Sequence, residues 1–234
     1  MRFYSYKHKY PYSSNIDGCG KGYATQAAIK NLFNHLDHFA LELDLINRCY
    51  SELITSNPVP ETTKRPFTDD EIKALWKISG EEWVDSVLIF LHTGFRISEL
   101  LDLRTENIDL EAGTIKGGTK TRAGKDRLVP IHSQIEPFIR KHIEEGGEYL
   151  FIHNGKKVSK TRYYTFWNAI MEREKMTHTV HETRHTFRSR LDSAGANKVC
   201  IDLIMGHKST DVGERIYTHK TIQELKFAIE LITS

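Results

Sequence analysis

The spacing of apolar positions divides the chain into two mostly helical regions separated by a proline-bearing stretch. Between Ala24 and Ile54, the residues Ile29, Leu32, Phe33, Leu36, Phe39, Ala40 and Leu43 recur at helical intervals. That spacing predicts one long amphipathic helix with a second after it. The stretch before it shows no usable period. Asn57-Pro58-Val59-Pro60 and the polar run to Pro66 read as an interdomain linker, because closely spaced prolines prevent either regular structure. The resulting division is a small helical unit over residues 1–60, a linker over 61–66 and a larger unit over 67–234. The larger unit opens at Thr68-Asp69-Asp70-Glu71, where Thr68 caps a helix and Glu71 reaches back to it. Trp83 to His92 forms a mostly apolar helix that Gly94 is placed to end. Gly113-Thr114-Ile115 and Leu128-Val129-Pro130-Ile131 predict strands joined by a basic turn, with another short strand from Tyr149 to Ile152. From Ser159 onward the pattern is helical almost to the end. The expected fold class is mainly α (α+β), a helical domain carrying one small antiparallel β-sheet and preceded by a short helical unit.

Composition narrows the picture only a little. At 234 residues there is room for one full domain plus a small second one. A hydrophobic fraction of 39% and a charged fraction of 27% are those of an ordinary folded protein. No stretch approaches the ~20 apolar residues needed to span a bilayer, and the N-terminus lacks the apolar core of a signal peptide. A cytoplasmic protein without membrane association is expected. Cys19, Cys49 and Cys200 are scattered without metal-type spacing, as reduced thiols would be.

A net charge of +2 is too mild to argue for nucleic acid, but its distribution says more. Lys116, Lys120, Arg122, Lys125 and Arg127 are opposed in their stretch only by Asp126, and a second cluster follows at Lys156, Lys157, Lys160 and Arg162. Of these, Lys116, Arg122, Lys125, Arg127, Lys156, Lys157 and Lys160 are candidate DNA contacts; solvated loops are the plainer reading of either cluster alone.

Four separated segments carry candidate chemistry. In His92-Thr93-Gly94-Phe95-Arg96-Ile97-Ser98-Glu99, Arg96 follows a helix end and begins another helix, with Glu99 one turn later on the same face. An arginine held by a carboxylate can turn its fork to a phosphate, although such a pair can also merely brace two helices. Thr119-Lys120-Thr121 sits in the basic turn, from which a lysine can be delivered to a phosphodiester as a proton donor. His181-Glu182-Thr183-Arg184-His185 opens a helix, so His181 and Arg184 share a face near its N-terminal end, where amide dipoles favour an anion. Finally, Gly206-His207 is followed ten residues later by Tyr217-Thr218-His219. A zinc site from His178, His181, His185 and His207 was the other way to read the histidines, but no Cys or Glu falls in a zinc-type motif with them.

Together the segments resemble the tyrosine recombinase (phage integrase) family, whose order R-x-S-E, T-K-T, H-x-x-R-H, G-H and Y-x-H stands here as R-I-S-E, T-K-T, H-E-T-R-H, G-H and Y-T-H. The resemblance covers residues 67–234 well and the preceding helices more loosely. It implies that residues 1–60 are part of a helical core-DNA-binding (SAM-like) domain and that 67–234 are the catalytic domain. It implies that Arg96 and Arg184 grip the non-bridging oxygens of the scissile phosphate and that Tyr217 attacks phosphorus. Lys120 would then protonate the leaving oxygen, His181 would help take the tyrosine proton, His207 would donate a hydrogen bond to the phosphate, and Glu99 would orient Arg96. No metal or other cofactor is called for.

The expected partner is double-stranded DNA, with assembly as a tetramer on two DNA sites through the C-terminal helix and room for accessory DNA-bending proteins. A type IB topoisomerase shares this chemistry without exchanging partners. The apolar residues Ile222, Leu225, Ala228, Ile229 and Leu231 favour recombination, because they suit docking on a neighbouring subunit; packing on their own domain is the equal alternative. A binding module without catalysis is a third reading, opposed by the intact set of site residues. The N-terminal part is short for a complete core-binding domain, which leaves a two-lobed clamp around DNA open for this chain.

Overall fold

Helix caps and strand parity together place the residues that matter. The structure, a computed structural model, describes residues 20–59, 65–118, 125–207 and 220–233, and it divides between Thr63 and Lys64 into two units. In the first unit α1 (Tyr23–Glu42) forms where the spacing predicts it. The second helix does not form: the chain turns after Glu42, with Asp44 at φ +56°, and only a 3-10 turn at Ser51–Leu53 follows. That turn is tied to α1 by side chains, the Asp37 carboxylate accepting from the Ser51 amide at 2.6 Å and Asn34 Oδ1 from the Ser51 hydroxyl at 3.1 Å. Leu32, Leu36, Phe39 and Leu43 are exposed; α1 is the one α-helix described in this unit, so nothing described there covers its stripe.

The second unit begins with α2 (Asp69–Lys77), whose capping box is the one predicted: Thr68 Oγ1 accepts from the Glu71 amide, and the Glu71 carboxylate accepts from the Thr68 amide. Helix α3 (Val84–Thr93) is buried along its whole length, which is why its sequence is apolar on every side rather than on one stripe. Gly94 ends it at φ +63°, a left-handed conformation that glycine adopts without steric cost, and α4 (Ile97–Leu101) follows. Strands β1 (Ile108–Asp109), β2 (Thr114–Gly117) and β3 (Arg127–Pro130) form a three-stranded antiparallel sheet in that order, with Ile115 opposite Val129 and Gly117 opposite Arg127. After α5 (Glu136–Glu144), the strand expected at Tyr149–Ile152 is divided. Tyr149 makes a single bridge to Arg104, and β4 (Ile152–His153) pairs with β5 (Lys156–Lys157) as a separate hairpin, closed through Asn154 and Gly155, both at positive φ.

Helices α6 (Lys160–Arg173), α7 (Val180–Ser193), α8 (Lys198–Met205) and α9 (Ile222–Glu230) complete the unit. No described helix is long and apolar enough to cross a membrane. Helix α7 packs along α3 and is anchored to the start of the unit. The Phe67 amide donates to Thr186 Oγ1 at 2.9 Å, and the Phe67 ring stacks on His178 with centroids 3.7 Å apart. His178 itself faces the carboxylates of Glu182 at 3.1 Å and Glu71 at 3.2 Å.

The C-terminal helix packs on its own unit, the alternative weighed against docking on a neighbour. Leu225, Ala228 and Ile229 are buried within their own unit, α9 packs against β3 and α8, and His132 Nε2 meets the Ile232 carbonyl at 2.9 Å. The apolar stripe is covered within the unit, where it meets β3 and α8. The large apolar side chain α9 leaves outside is Phe227, 71% exposed.

Gly94 is the tightest point of this frame. A Cβ there would lie 2.5 Å from Phe187 Cδ1 and 3.0 Å from Met205 Sδ, on a backbone at φ +63°. Gly94→Ala is expected to lower stability by about 1–3 kcal/mol from overpacking alone, read as a lower urea midpoint at unchanged slope. An unchanged midpoint would mean that the α3–α7 packing described here is wrong.

Candidate active site

Arg96 is the residue before the first turn of α4, held extended at φ −77° and ψ 153°. The R-I-S-E spacing brings the Glu99 carboxylate back onto it: Oε2 accepts from the Arg96 amide at 3.0 Å and Oε1 from Arg96 Nη1 at 2.8 Å. The Glu99 side chain is fully buried while that of Arg96 keeps 21% of its surface exposed. The arginine is therefore fixed from behind and open in front.

Glu99 has a second partner that the sequence reading missed. Arg127 Nη2 donates to Glu99 Oε2 at 3.0 Å, Arg127 Nε donates to the Ile204 carbonyl at 2.8 Å, and its guanidinium lies 4.5 Å from the centre of the Phe95 ring. Arg127 was a candidate DNA contact; at 7% exposure it is instead an internal strut. Strand parity explains this. Val129 is in the core and Leu128 is exposed, so Arg127, two residues from Val129, points inward. Gly117 opposite it makes the room, since a Cβ there would come within 2.8 Å of Phe95. Burial alone would raise the Glu99 carboxyl; the bond from Arg127, the Arg96 amide, the Arg127 charge and the bond from the Arg96 side chain outweigh that and hold it below the usual carboxylate range.

Arg184 is 3% exposed in the second turn of α7. Its Nη1 donates to the Gly94 carbonyl, its Nη2 to the Met205 carbonyl at 2.6 Å, and Nη2 also stands 2.9 Å from His207 Nε2. Burial, and then the positive charges of Arg96 and Arg127, bring Arg184 down to about 10, still charged at neutral pH. His207 follows Gly206, which ends α8 at φ +65°. Its other nitrogen, Nδ1, lies 2.8 Å from Arg188 Nη1, a second residue the sequence reading passed over. The available signal was the i, i+4 spacing of Arg184 and Arg188 on one helix face. His181 lies one turn before Arg184 on the exposed side of α7, edge-on to His185 with ring centroids 4.8 Å apart.

The structure thus brings Arg96, Glu99, Arg184 and His207 together and places His181 on the same helix as Arg184. Lys120, Arg122 and Tyr217 lie outside the described residues. Of the candidate DNA contacts, Lys116, Lys125, Lys156 and Lys160 are exposed. Lys157 is ion-paired with Asp102 and lies 4.7 Å from the centre of the Tyr149 ring. Among the described residues no group of three or more His, Cys, Asp or Glu is placed to hold a metal ion; His178, weighed as a zinc ligand, has both nitrogens against carboxylates. What converges instead is positive charge, with its nearest carboxylate turned inward between two arginines. Such an arrangement can receive an anion that offers several oxygens.

Removing Arg127 tests the strut. Arg127→Leu leaves a fully buried carboxylate with one partner fewer, which is expected to cost about 3–5 kcal/mol. Glu99 is depressed in the folded protein, so its contribution is present above its ordinary value and lost as pH falls through the folded one. In Arg127→Leu the folded-state carboxyl moves back up toward its ordinary value, so that loss should be smaller and complete at higher pH, and adding Glu99→Gln should restore part of the stability. Denaturation curves across acid pH check both. An Arg127→Leu protein as stable as the parent at every pH would remove the strut.

The chain matches the model of the phage integrase family over residues 66–224. It is 30% identical over 193 residues to a protein named tyrosine recombinase XerA from Pyrococcus furiosus, covering 77% of this chain and 66% of the relative, so the chain spans just under two thirds of the length of that relative. In fold it resembles the Tn1549 transposon integrase (residues 82–397) solved with circular intermediate DNA, with a TM-score of 0.71, 23% identity and coverage of 94% of this chain and 82% of that one. It also resembles a lambda integrase tetramer bound to a Holliday junction, with a TM-score of 0.69, 16% identity and coverage of 86% and 64%. With a family model spanning more than half of its residues, and with the arginines and histidine of that family's motifs gathered at one place, this chain belongs to the phage integrase family.

Proposed function

We propose that this chain is a site-specific DNA recombinase that cleaves and rejoins strands through a 3′-phosphotyrosine at Tyr217, for integration or excision of a phage or mobile element. The observation that carries the reading is the convergence of Arg96, Arg184 and His207 with Glu99 facing away from the opening. In the reaction the Tyr217 oxygen attacks phosphorus, the bond from phosphorus to the 5′-oxygen breaks, and that oxygen leaves as a hydroxyl. His181 helps take the tyrosine proton and Lys120 supplies the proton to the leaving oxygen. Arg96 and Arg184 hold the two non-bridging oxygens, and because their charge counts most as the phosphorane forms, the gain falls in the transition state. Rejoining runs the same steps in reverse with a 5′-hydroxyl as attacker.

The relatives support the reading by their names, tyrosine recombinase and transposon integrase, and the fold neighbours by their DNA complexes. The proposed partner is double-stranded DNA, with residues 1–60 contributing to its binding and Lys116, Lys125, Lys156 and Lys160 as phosphate contacts. The proposed working assembly is a tetramer on two DNA sites. With its apolar stripe buried at home, α9 would meet a neighbour through the side that carries Phe227.

Incubation with a nicked duplex tests the chemistry. The parent protein is expected to form a detergent-stable protein–DNA adduct, and Tyr217→Phe to bind DNA equally well and form none. Tyr163 is no substitute, being buried, bonded to Ser86 at 2.9 Å and pushed far up by burial. An adduct that survived Tyr217→Phe would move the nucleophile to Tyr164, which is 36% exposed.

Lys120 is separated from its neighbours by the leaving group. Lys120→Ala should cleave an ordinary phosphodiester very poorly and recover much of its rate on a 5′-bridging phosphorothiolate, whose thiolate needs no proton. Arg96→Ala should show no comparable rescue, because the transition-state charge stays unneutralised whichever atom departs. Lys116→Ala and Lys125→Ala should mainly weaken binding, with a shallower salt dependence. Rescue of Lys125→Ala by sulfur would reassign the general acid.

A further inference from the structure

His207 is flanked by arginines on both of its ring nitrogens. Nε2 stands 2.9 Å from Arg184 Nη2 and Nδ1 stands 2.8 Å from Arg188 Nη1. A guanidinium only donates, and a neutral imidazole has one lone pair and one N–H. One of the two contacts is a hydrogen bond and the other sets two donors against each other. Protonating the ring would make both contacts donor against donor. The surroundings also disfavour it: burial, Arg184 and Arg188 lower the His207 pKa, with Arg96 adding to them and Asp202 alone opposing.

The surroundings also decide which contact is the bond. A proton on Nδ1 would face Arg188, and the nearby carboxylate oxygen, Asp202 Oδ1, is 3.8 Å away, beyond hydrogen-bond reach. A proton on Nε2 faces Arg184 on the side where Arg96 and Arg184 converge, and there an incoming anion can accept it. We propose that Arg188 is a positioning residue: by donating to Nδ1 it holds His207 in the tautomer whose Nε2–H, together with Arg184 Nη2–H, points at a phosphate oxygen. The inference rests on the reading of this site as one for the scissile phosphate. Its consequence is that Arg184 and His207 each present a donor that the other cannot accept. An oxygen placed between them takes both protons and turns a donor–donor contact into two hydrogen bonds. Without Arg188 the ring is free to move its proton to Nδ1, accept from Arg184, and withdraw a donor from the phosphate.

The test uses the full chain with labelled histidine and reads the imidazole by nitrogen–proton correlation NMR, with His207→Asn identifying the signal. At pH above the His207 titration, the parent and Arg188→Lys, which keeps a donor-only cation, should show the Nε2–H form. Arg188→Met should shift the ring toward Nδ1–H. In single-turnover adduct formation at saturating nicked duplex, Arg188→Met should be slowed about tenfold, less than the ~10²–10³ lost when a whole oxyanion donor is removed, and Arg188→Lys should recover most of the rate. A parent ring in the Nδ1–H form, or an Arg188→Met protein unchanged in tautomer and rate, overturns the proposal. If the parent forms no adduct while the ring still depends on Arg188, the tautomer assignment stands and the recombinase reading falls.

Discussion

One buried guanidinium fixes the site. Arg184 is 3% exposed, and its fork is held by the carbonyls of Gly94 and Met205. Both carbonyls belong to helix ends: Gly94 closes α3 at φ +63°, and Met205 is the last residue of α8, closed by Gly206 at φ +65°. A helix C-terminus leaves carbonyls without partners and carries the negative end of the helix dipole. A cation lodged between two such ends supplies the missing donors to both and is itself desolvated without being unpaired. The same contact pins the ends of α3 and α8 to the second turn of α7, so the positions of Arg96, just after Gly94, and His207, just after Gly206, follow from it.

The arrangement is overcharged on one side. Arg96, Arg127 and Arg188 all press on Arg184, and Glu99 is the carboxylate that opposes them. Glu99 is already shared between Arg96 and Arg127 and lies wholly inside. That leaves more positive charge at the opening than the nearby carboxylates offset, and burial together with this repulsion brings Arg184 down to about 10. Such a site favours an anion, and the more so the more negative charge that anion carries. Preorganised charge of this kind favours a transition state over a ground state.

Much of this was legible in the residues, and the reasons for the misses are local. The R-I-S-E and H-E-T-R-H segments place Arg96, Glu99 and Arg184 by helix spacing alone, and Gly94 announced the end of α3; these are short-range relations that sequence carries directly. Arg127 was misread because it sits in a basic run, where charge invites a surface assignment. Its neighbour Val129, two positions on and apolar, held the contrary information through strand parity. The second helix expected before Ile54 failed because apolar spacing does not report where a chain turns, and Asp44 turns it at φ +56°. The C-terminal stripe was correctly read as apolar, but periodicity states that a face will be covered, not by which surface; here β3 and α8 lie within reach of it in the same unit.

Arg127 and Arg188 show why counting charge says so little about a site like this one. Both are arginines outside the motif set, and both act on a motif residue. Arg127 lies on the inward parity of a strand, 4% exposed in its side chain, and meets a carboxylate and a carbonyl, so its charge is consumed internally. Arg188 lies one helical turn beyond Arg184 with a side chain 45% exposed, and it meets the outer nitrogen of His207. There its contribution is less its charge than the fact that it can only donate. The net charge of +2 enters both on equal terms. The backbone decides that one neutralises a buried acid and the other fixes the direction of a proton.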